Sequence, residues 1–318
     1  MKIGLIDVDG RKFPNLALMK ISAWHKQRGD SVEWYEPLFS GHMDRVYMSK
    51  VFSFSADYEY YVDADEVIKG GSGYCISTLN GKERYDTEKD NPLPYEIEHF
   101  FPDYELYGIK NTAYGYLTRG CPRNCAFCHT SQKDGLKSAK VADLNEFWNG
   151  QGKIVLLDQN ILACKEWSGL FDQLIESKAA IEFNGGLDIR LITEQAIEKI
   201  KQMRLQCIHF AFDRYQDKDT VMRKLKLVKD LTGYGRHKIL VYVLVNYDTT
   251  IKQDLERIEY CRSLAFSPFV MIYDKAHCSP VYRKMQRWCN NYFVFYRTPR
   301  FEDYEQLTRS ERELIASG

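Results

Sequence analysis

Apolar positions near the start of the chain follow two patterns in turn. Residues 3–6 form a short continuous apolar run, which predicts a buried strand. After Pro14, placed to open a helix, Leu16, Ala17, Met19, Ile21 and Trp24 recur at helical spacing until Gly29. Residues 31–35 predict a second strand, 45–52 a third, and 66–68 a short fourth before Gly70-Gly71. Strand, helix and strand in that order predict a parallel sheet, so residues 1–76 read as a small Rossmann-like α/β domain.

Residues 77–112 lose that rhythm. They are polar, with prolines at 92, 94 and 102 and a turn signal at Asn80-Gly81. They predict a linker wrapping the surface, with a hairpin at Asn80-Gly81.

A longer rhythm begins at residue 113. Apolar runs occupy 113–117, 154–157, 181–183, 207–212, 239–245 and 269–273. Helical patterns lie between them at 167–177, 194–203 and 220–231, the last closed by Gly233. A fourth begins at Thr250, where Thr250 and Gln253 form a capping-box pattern. The strand-to-strand spacing of about 25–40 residues is what βα units need. Six such units predict an α/β fold with a partial (β/α)6 barrel over 113–277, a doubly wound open sheet being the alternative. Residues 278–318 predict an extension packing on the barrel. Its aromatics Tyr292, Phe293, Phe295 and Tyr296 predict an edge strand.

Composition adds exclusions. Basic and acidic residues balance at 44 each, so no overall field draws the chain to nucleic acid or membrane. No apolar run reaches bilayer length and the N-terminus does not read as a signal peptide, so a cytoplasmic protein without a membrane partner is expected. Basic residues do concentrate in 201–238, including Arg223, Lys224, Lys226 and Lys229. On a helix these read first as a solvated face and second as a contact for an anionic substrate or RNA.

The cysteines carry the chemistry. There are nine, an odd number in a long chain, which fits reduced thiols and a metal site better than a disulfide framework. Cys121, Cys125 and Cys128 fall together in "RGCPRNCAFCHT", just after the first strand of the six. That is the strand end where barrels and parallel sheets build their sites. Three close thiols rarely serve packing alone. Zinc wants four ligands, often as two-residue-spaced pairs, and the adjacent His129 does not easily converge with Cys128 on one ion. A [4Fe–4S] cluster with three protein thiolates accounts for the count and leaves one iron open to a non-protein ligand.

C-x3-C-x2-C with an aromatic before the last cysteine (Cys121, Cys125, Phe127, Cys128), placed after a first barrel strand, resembles the radical S-adenosylmethionine (radical SAM) superfamily. The resemblance covers residues 113–275. It implies a [4Fe–4S] cluster on the three cysteines and SAM chelated to the open iron. It also implies reductive cleavage to a 5′-deoxyadenosyl radical, which abstracts hydrogen from substrate. Phe127 would then pack near the adenine. Asp158 and Asn160, after the second strand, occupy the place of a glycine-rich, acid-ended stretch that receives the SAM amino group. The stretch here, Asp158-Gln159-Asn160, departs from that pattern, and turn or capping roles are the alternative. Arg190, after Gly185-Gly186, would meet the SAM carboxylate or a substrate anion, or else form a structural ion pair with Asp188. Asp213 and Asn246, at the ends of the fourth and fifth strands, would bond ribose hydroxyls. Tyr273-Asp274-Lys275 would face substrate.

The N-terminal part resembles the front half of cobalamin-binding radical SAM proteins in shortened form. The motif Asp-x-His-x-x-Gly is absent, so cobalamin is not expected. The resemblance implies SAM, a small-molecule or peptide substrate and an electron donor such as flavodoxin or ferredoxin as partners, with nucleic acid less favoured. The competing reading is a nucleic-acid-binding module in which zinc or an iron–sulfur cluster is structural. Cys261, Cys278 and Cys289 are too irregularly spaced to predict a second cluster and read as buried thiols.

Overall fold

Parallel strands need crossovers, and the chain supplies two sets. The computed structural model describes residues 1–79 and 82–317. Its first set is β1 (Lys2–Asp7), β2 (Ser31–Trp34), β3 (Met43–Ser49) and β4 (Ala64–Gly70). They pair in parallel in the order β2-β1-β3-β4. β4 is longer than its apolar run because it lies at the sheet edge with most side chains exposed. Helix α1 (Leu16–Gln27) starts after Pro14, with Asn15 capping it by accepting from the Leu18 N–H at 3.2 Å. Leu18 and Ile21 pack on Leu5 and Tyr47 on one sheet face. The other face, with Ile6, Val46 and Met48, is covered by Tyr58, Val62 and Tyr74, the last in the one-turn α2 (Ser72–Cys75).

β5 (Ile76–Leu79) and β6 (Lys82–Tyr85) pair antiparallel, as a hairpin would. The expected turn at Asn80-Gly81 lies outside the described residues. Between β6 and the second set of strands the chain is not a solvated linker. Ile97, in α3 (Tyr95–Glu98), is buried in the core of the first unit. Tyr104 is buried against the second, donating to the Phe147 carbonyl at 2.6 Å and accepting from the Tyr114 N–H at 3.0 Å. Single anchors carry this burial, so the polar composition around them conceals it.

The second set begins with β7 (Thr112–Gly115) and the short β8 (Thr118–Arg119), α4 (Thr130–Asp134) and β9 (Ala139–Lys140). Then come β10 (Lys153–Leu156), α5 (Trp167–Ser177), β11 (Ala180–Leu187), α6 (Glu194–Gln202) and β12 (Arg204–Ala211). α7 (Lys218–Thr232), β13 (Ile239–Val245), α8 (Ile251–Ser263) and β14 (Ser267–Ile272) complete it. β7 and β10 to β14 form one parallel sheet whose strand order follows the chain. The order never reverses, as it would in a doubly wound sheet. Ile154, Ile181, Phe183, Ile208, Phe210 and Val241 share its buried core with Phe171, Ile197, Leu225 and Ile258 from the helices. Thr250 and Gln253 cap α8 reciprocally, and Gly233 ends α7 at φ +66°.

The C-terminal segment corrects an expectation. The aromatics of 290–300 are not on an edge strand but in helix α10 (Tyr292–Arg297), which follows α9 (Pro280–Asn290) and precedes a last helix, α11 (Arg309–Ser317). Packing overrides the strand preference of the aromatics: Trp288, Phe295 and Phe301 bury together in the main core. The free edge of β14 is met by side chains instead. Asn290 Oδ1 accepts from the Val270 N–H at 2.7 Å, while Asn290 Nδ2 and Gln286 Nε2 donate to the Val270 carbonyl at 3.0 and 3.1 Å.

One buried cation organises the carboxyl ends of the central strands. Arg257 on α8 is fully buried and donates to the carbonyls of Phe212 (2.5 Å), Asp213 (2.9 Å) and Leu244 (2.8 Å), and to Asp254. Removing it takes a charged donor from those carbonyls and leaves the buried Asp254 carboxylate with the Thr249 hydroxyl and the Asn246 N–H but without its facing cation. Arg257→Met is expected to cost about 3–5 kcal/mol, read as a lower urea midpoint with an unchanged m-value.

Candidate functional site

The three clustered cysteines sit on an excursion closed at its base. β8 and β9 pair antiparallel, Thr118 with Lys140 and Arg119 with Ala139. Gly120 follows at φ +89°, and a Cβ there would lie 2.3 Å from the Lys137 carbonyl oxygen, so only glycine fits. The Cys121 N–H donates to the Gly135 carbonyl at 3.1 Å, and the Cys128 N–H to that of Cys125 at 3.0 Å. Cys121 and Cys125 are half-buried and Cys128 is exposed, all three as free thiols.

The residues after β10 grip this excursion at separate points. Asp158, 2 % exposed, accepts from the Leu117 N–H (3.1 Å), the Thr118 N–H (2.5 Å) and the Thr118 hydroxyl (2.7 Å) before the cysteines. Gln159 Nε2 donates to Asp134 Oδ2 after them, at 2.9 Å. Asn160 Nδ2 donates to Cys121 Sγ at 3.4 Å, and the Asn160 carbonyl accepts from the Ser138 hydroxyl at 2.9 Å. Burial pushes the Asp158 carboxyl up to about 6, against the pull of those hydrogen bonds. Asn160 is 2 % exposed, and its Oδ1 is buried with no hydrogen-bond partner among the described residues. Gly185 packs on this stretch so closely that a Cβ would lie 2.2 Å from the Asp158 carbonyl oxygen.

Charge braces the far side. Arg123, between the first two cysteines, donates to Asp188 at 2.5 Å. Arg190 donates to the same carboxylate through Nε (2.7 Å) and Nη2 (3.2 Å), and to Asp217 through Nη1 (2.5 Å). Burial alone would raise Asp188, but the Arg190 and Arg123 contacts overcome it and hold its carboxyl below the usual range. The structure therefore makes Arg190 a partner of Asp188 and joins it to the loop through Arg123, a link the sequence did not signal beyond a lone cation among the cysteines.

Phe127 reaches the loop after β13, where Tyr247 meets it edge-on at 5.1 Å and Tyr273 meets Tyr247 at 4.9 Å. Asn246, at φ +63°, donates to the Tyr273 carbonyl at 2.9 Å and so fixes this aromatic group. Tyr247 was not singled out from the sequence, its only signal being its place beside Asn246. Asp213 accepts from the Leu244 N–H at 3.2 Å. Its side chain keeps some exposure, yet burial pushes its carboxyl up to about 6.

The thiols feel one another. Burial pushes the Cys125 thiol up, Cys128 and Cys121 push the same way, and Arg190 pulls against them. His129 turns to the first unit, its ring stacked on Tyr85 at 5.8 Å and 11°. Among the described residues no three His, Cys, Asp or Glu side chains converge on a single ion. Away from the site, Cys261 and Cys289 are buried thiols, Cys261 pushed up to about 12 by burial, whereas Cys278 is only half-buried, in the turn before α9. On α7, Lys224, Lys226 and Lys229 bond locally, to the Ile192 carbonyl, Asp230 and the Tyr234 carbonyl. No described helix is long and apolar enough to cross a membrane. No family model, no curated protein and no solved structure matches this chain.

Asp213 gives the site a pH signature. Its carboxyl holds a proton more tightly folded (about 6) than at its ordinary value of 3.8, so its contribution to stability is greatest below about pH 4 and falls as pH rises through 6. Asp213→Asn removes that dependence. The variant is expected to gain stability over wild type between about pH 4 and 7 and to hold the gain above it, read by urea unfolding across that range.

Proposed function

We propose that this chain is a radical SAM enzyme whose [4Fe–4S] cluster is held by Cys121, Cys125 and Cys128. The observation that carries the reading is the three-thiol excursion gripped from the neighbouring strand by Asp158, Gln159 and Asn160. The donor set fits such a cluster: sulfur ligands alone favour iron–sulfur chemistry, and a cube with its own irons and sulfides needs its thiolates further apart than a single ion does. His129, occupied against Tyr85, is not required as a fourth ligand. When bound, the cluster supplies one electron to SAM, giving methionine and a 5′-deoxyadenosyl radical that takes hydrogen from the substrate.

The chain's own residues have distinct parts in this reading. The buried, unpartnered Asn160 Oδ1 is an acceptor for the SAM ammonium group. Asp158 acts through position, holding the backbone before Cys121. Phe127 and Tyr247 offer apolar faces to the adenine. In this reading Arg190, with Arg123 beside it, would meet the SAM carboxylate, and Asp213 and Asn246, after the fourth and fifth strands, would bond ribose hydroxyls. The unreversed strand order and the reach of Phe127 to the fifth strand's loop support a partial (β/α)6 barrel, with a Rossmann-like unit before it. A structural metal in a nucleic-acid-binding module has less support, because the α7 lysines are engaged locally.

Anaerobic reconstitution is expected to give absorbance near 400 nm with about four irons and four sulfides per chain. Dithionite and SAM should then yield 5′-deoxyadenosine, and Cys125→Ala should abolish it. A colourless protein with stoichiometric zinc would sink the proposal.

A further inference from the structure

We infer that Asn160 sets the reduction potential of the cluster by hydrogen-bonding the Cys121 sulfur, an assignment that rests on the cluster reading above. Asn160 Nδ2 lies 3.4 Å from Cys121 Sγ. A ligating thiolate only accepts, so the amide must present its NH2 to the sulfur, which is the orientation found. The donor is not part of the cysteine excursion. It arrives from the end of β10, with its own carbonyl tied by Ser138 and its neighbour Asp158 tied to Leu117 and Thr118. At 2 % exposure it is shielded from bulk solvent, and a hydrogen bond strengthens in such surroundings. The contact of Cys128 differs: its thiol donates to the Thr130 hydroxyl, 3.2 Å away and within the same exposed stretch, so it is no donor to that sulfur.

Hydrogen bonds to cluster sulfurs stabilise the reduced, more negative state and so raise the potential. The fixed, buried Asn160 donor is the one built to do this, and removing it lowers the potential.

The test is a potentiometric EPR titration of reconstituted wild type, Asn160→Leu and Asn160→Asp, each with its iron and sulfide counted. Both variants remove the amide donor; Asn160→Asp does so at nearly constant volume, and its carboxylate charge shifts the potential in the same direction. At a fixed potential their reduced-to-oxidised ratio is expected to fall roughly tenfold, about 59 mV for one electron. Asn160→Gln, which keeps an amide donor, should recover part of the shift. Pulsed EPR on the reduced wild type grown on 15N-asparagine needs no variant and should show a nitrogen coupled to the cluster. A fully loaded Asn160→Leu or Asn160→Asp protein with the wild-type potential overturns the assignment, as does a wild type without nitrogen coupling. A wild type that takes up no iron and sulfide sinks the cluster reading instead.

Discussion

Three thiols on a loop with little regular structure need something outside the loop to fix their separations, and here that is the carboxyl end of β10. Asp158 is the main constraint. Its two oxygens take the Leu117 and Thr118 N–H groups and the Thr118 hydroxyl, which sets the chain's direction as it leaves β7 for Cys121. Ordering a residue costs about 1–2 kcal/mol of backbone entropy, so an excursion of this length would not hold one shape on its local contacts alone. β10 is a suitable anchor because it pairs with β7 on one side and β11 on the other. The hydrogen bonds of Gln159 and Asn160 borrow the same rigidity further along the loop. A site held within narrow tolerances on a central strand is how metal and cofactor chemistry is pre-organised.

Electrostatics complete what the β10 clamp begins. Asp188 is buried and would be costly as a charge, but two guanidiniums face it and one comes from within the cysteine loop. The loop is thereby tied to β11 as well as β10. Arg190 in the same arrangement offsets part of the rise that burial and the neighbouring thiols impose on Cys125. Arg257 plays the corresponding part under β12 and β13, where it takes the last carbonyls and keeps Asp213 at the mouth of the sheet.

Much of this was legible in the sequence because it is periodic or local. The six apolar runs fall on the six strands of the larger sheet, and the Thr250–Gln253 signal starts α8 and Gly233 ends α7 where expected. The cysteine spacing needs no structure to be seen. What was hidden is long-range. Asp158 reads as a turn residue until its partners, about forty positions earlier, are known. The Arg123–Asp188 pair spans 65 positions. Residues 290–300 look like a strand because aromatic residues favour one, and only the burial of Trp288 and Phe295 against Phe301 reveals helices. The segment before β7 looks solvated because single buried anchors, Ile97 and Tyr104, leave no pattern.

The first unit bears on the site through these same anchors. Glu98, beside Ile97, receives Lys20 from α1 at 3.0 Å and Arg119 from β8 at 3.0 Å, so one carboxylate joins the small sheet to the base of the cysteine excursion. Tyr107 donates to Asp7 at the end of β1 at 2.6 Å, and Lys133 of α4 approaches Ser72, just after β4, at 3.4 Å. Tyr85 of β6 meets the His129 ring. The carboxyl ends of the small sheet therefore turn toward the loop rather than away from it. This explains why His129 follows the cysteines without joining them: its ring is part of the contact between the two units. Approach to the thiols from that side is then governed by the first unit, while the side facing Phe127 and Tyr247 remains the province of the larger sheet.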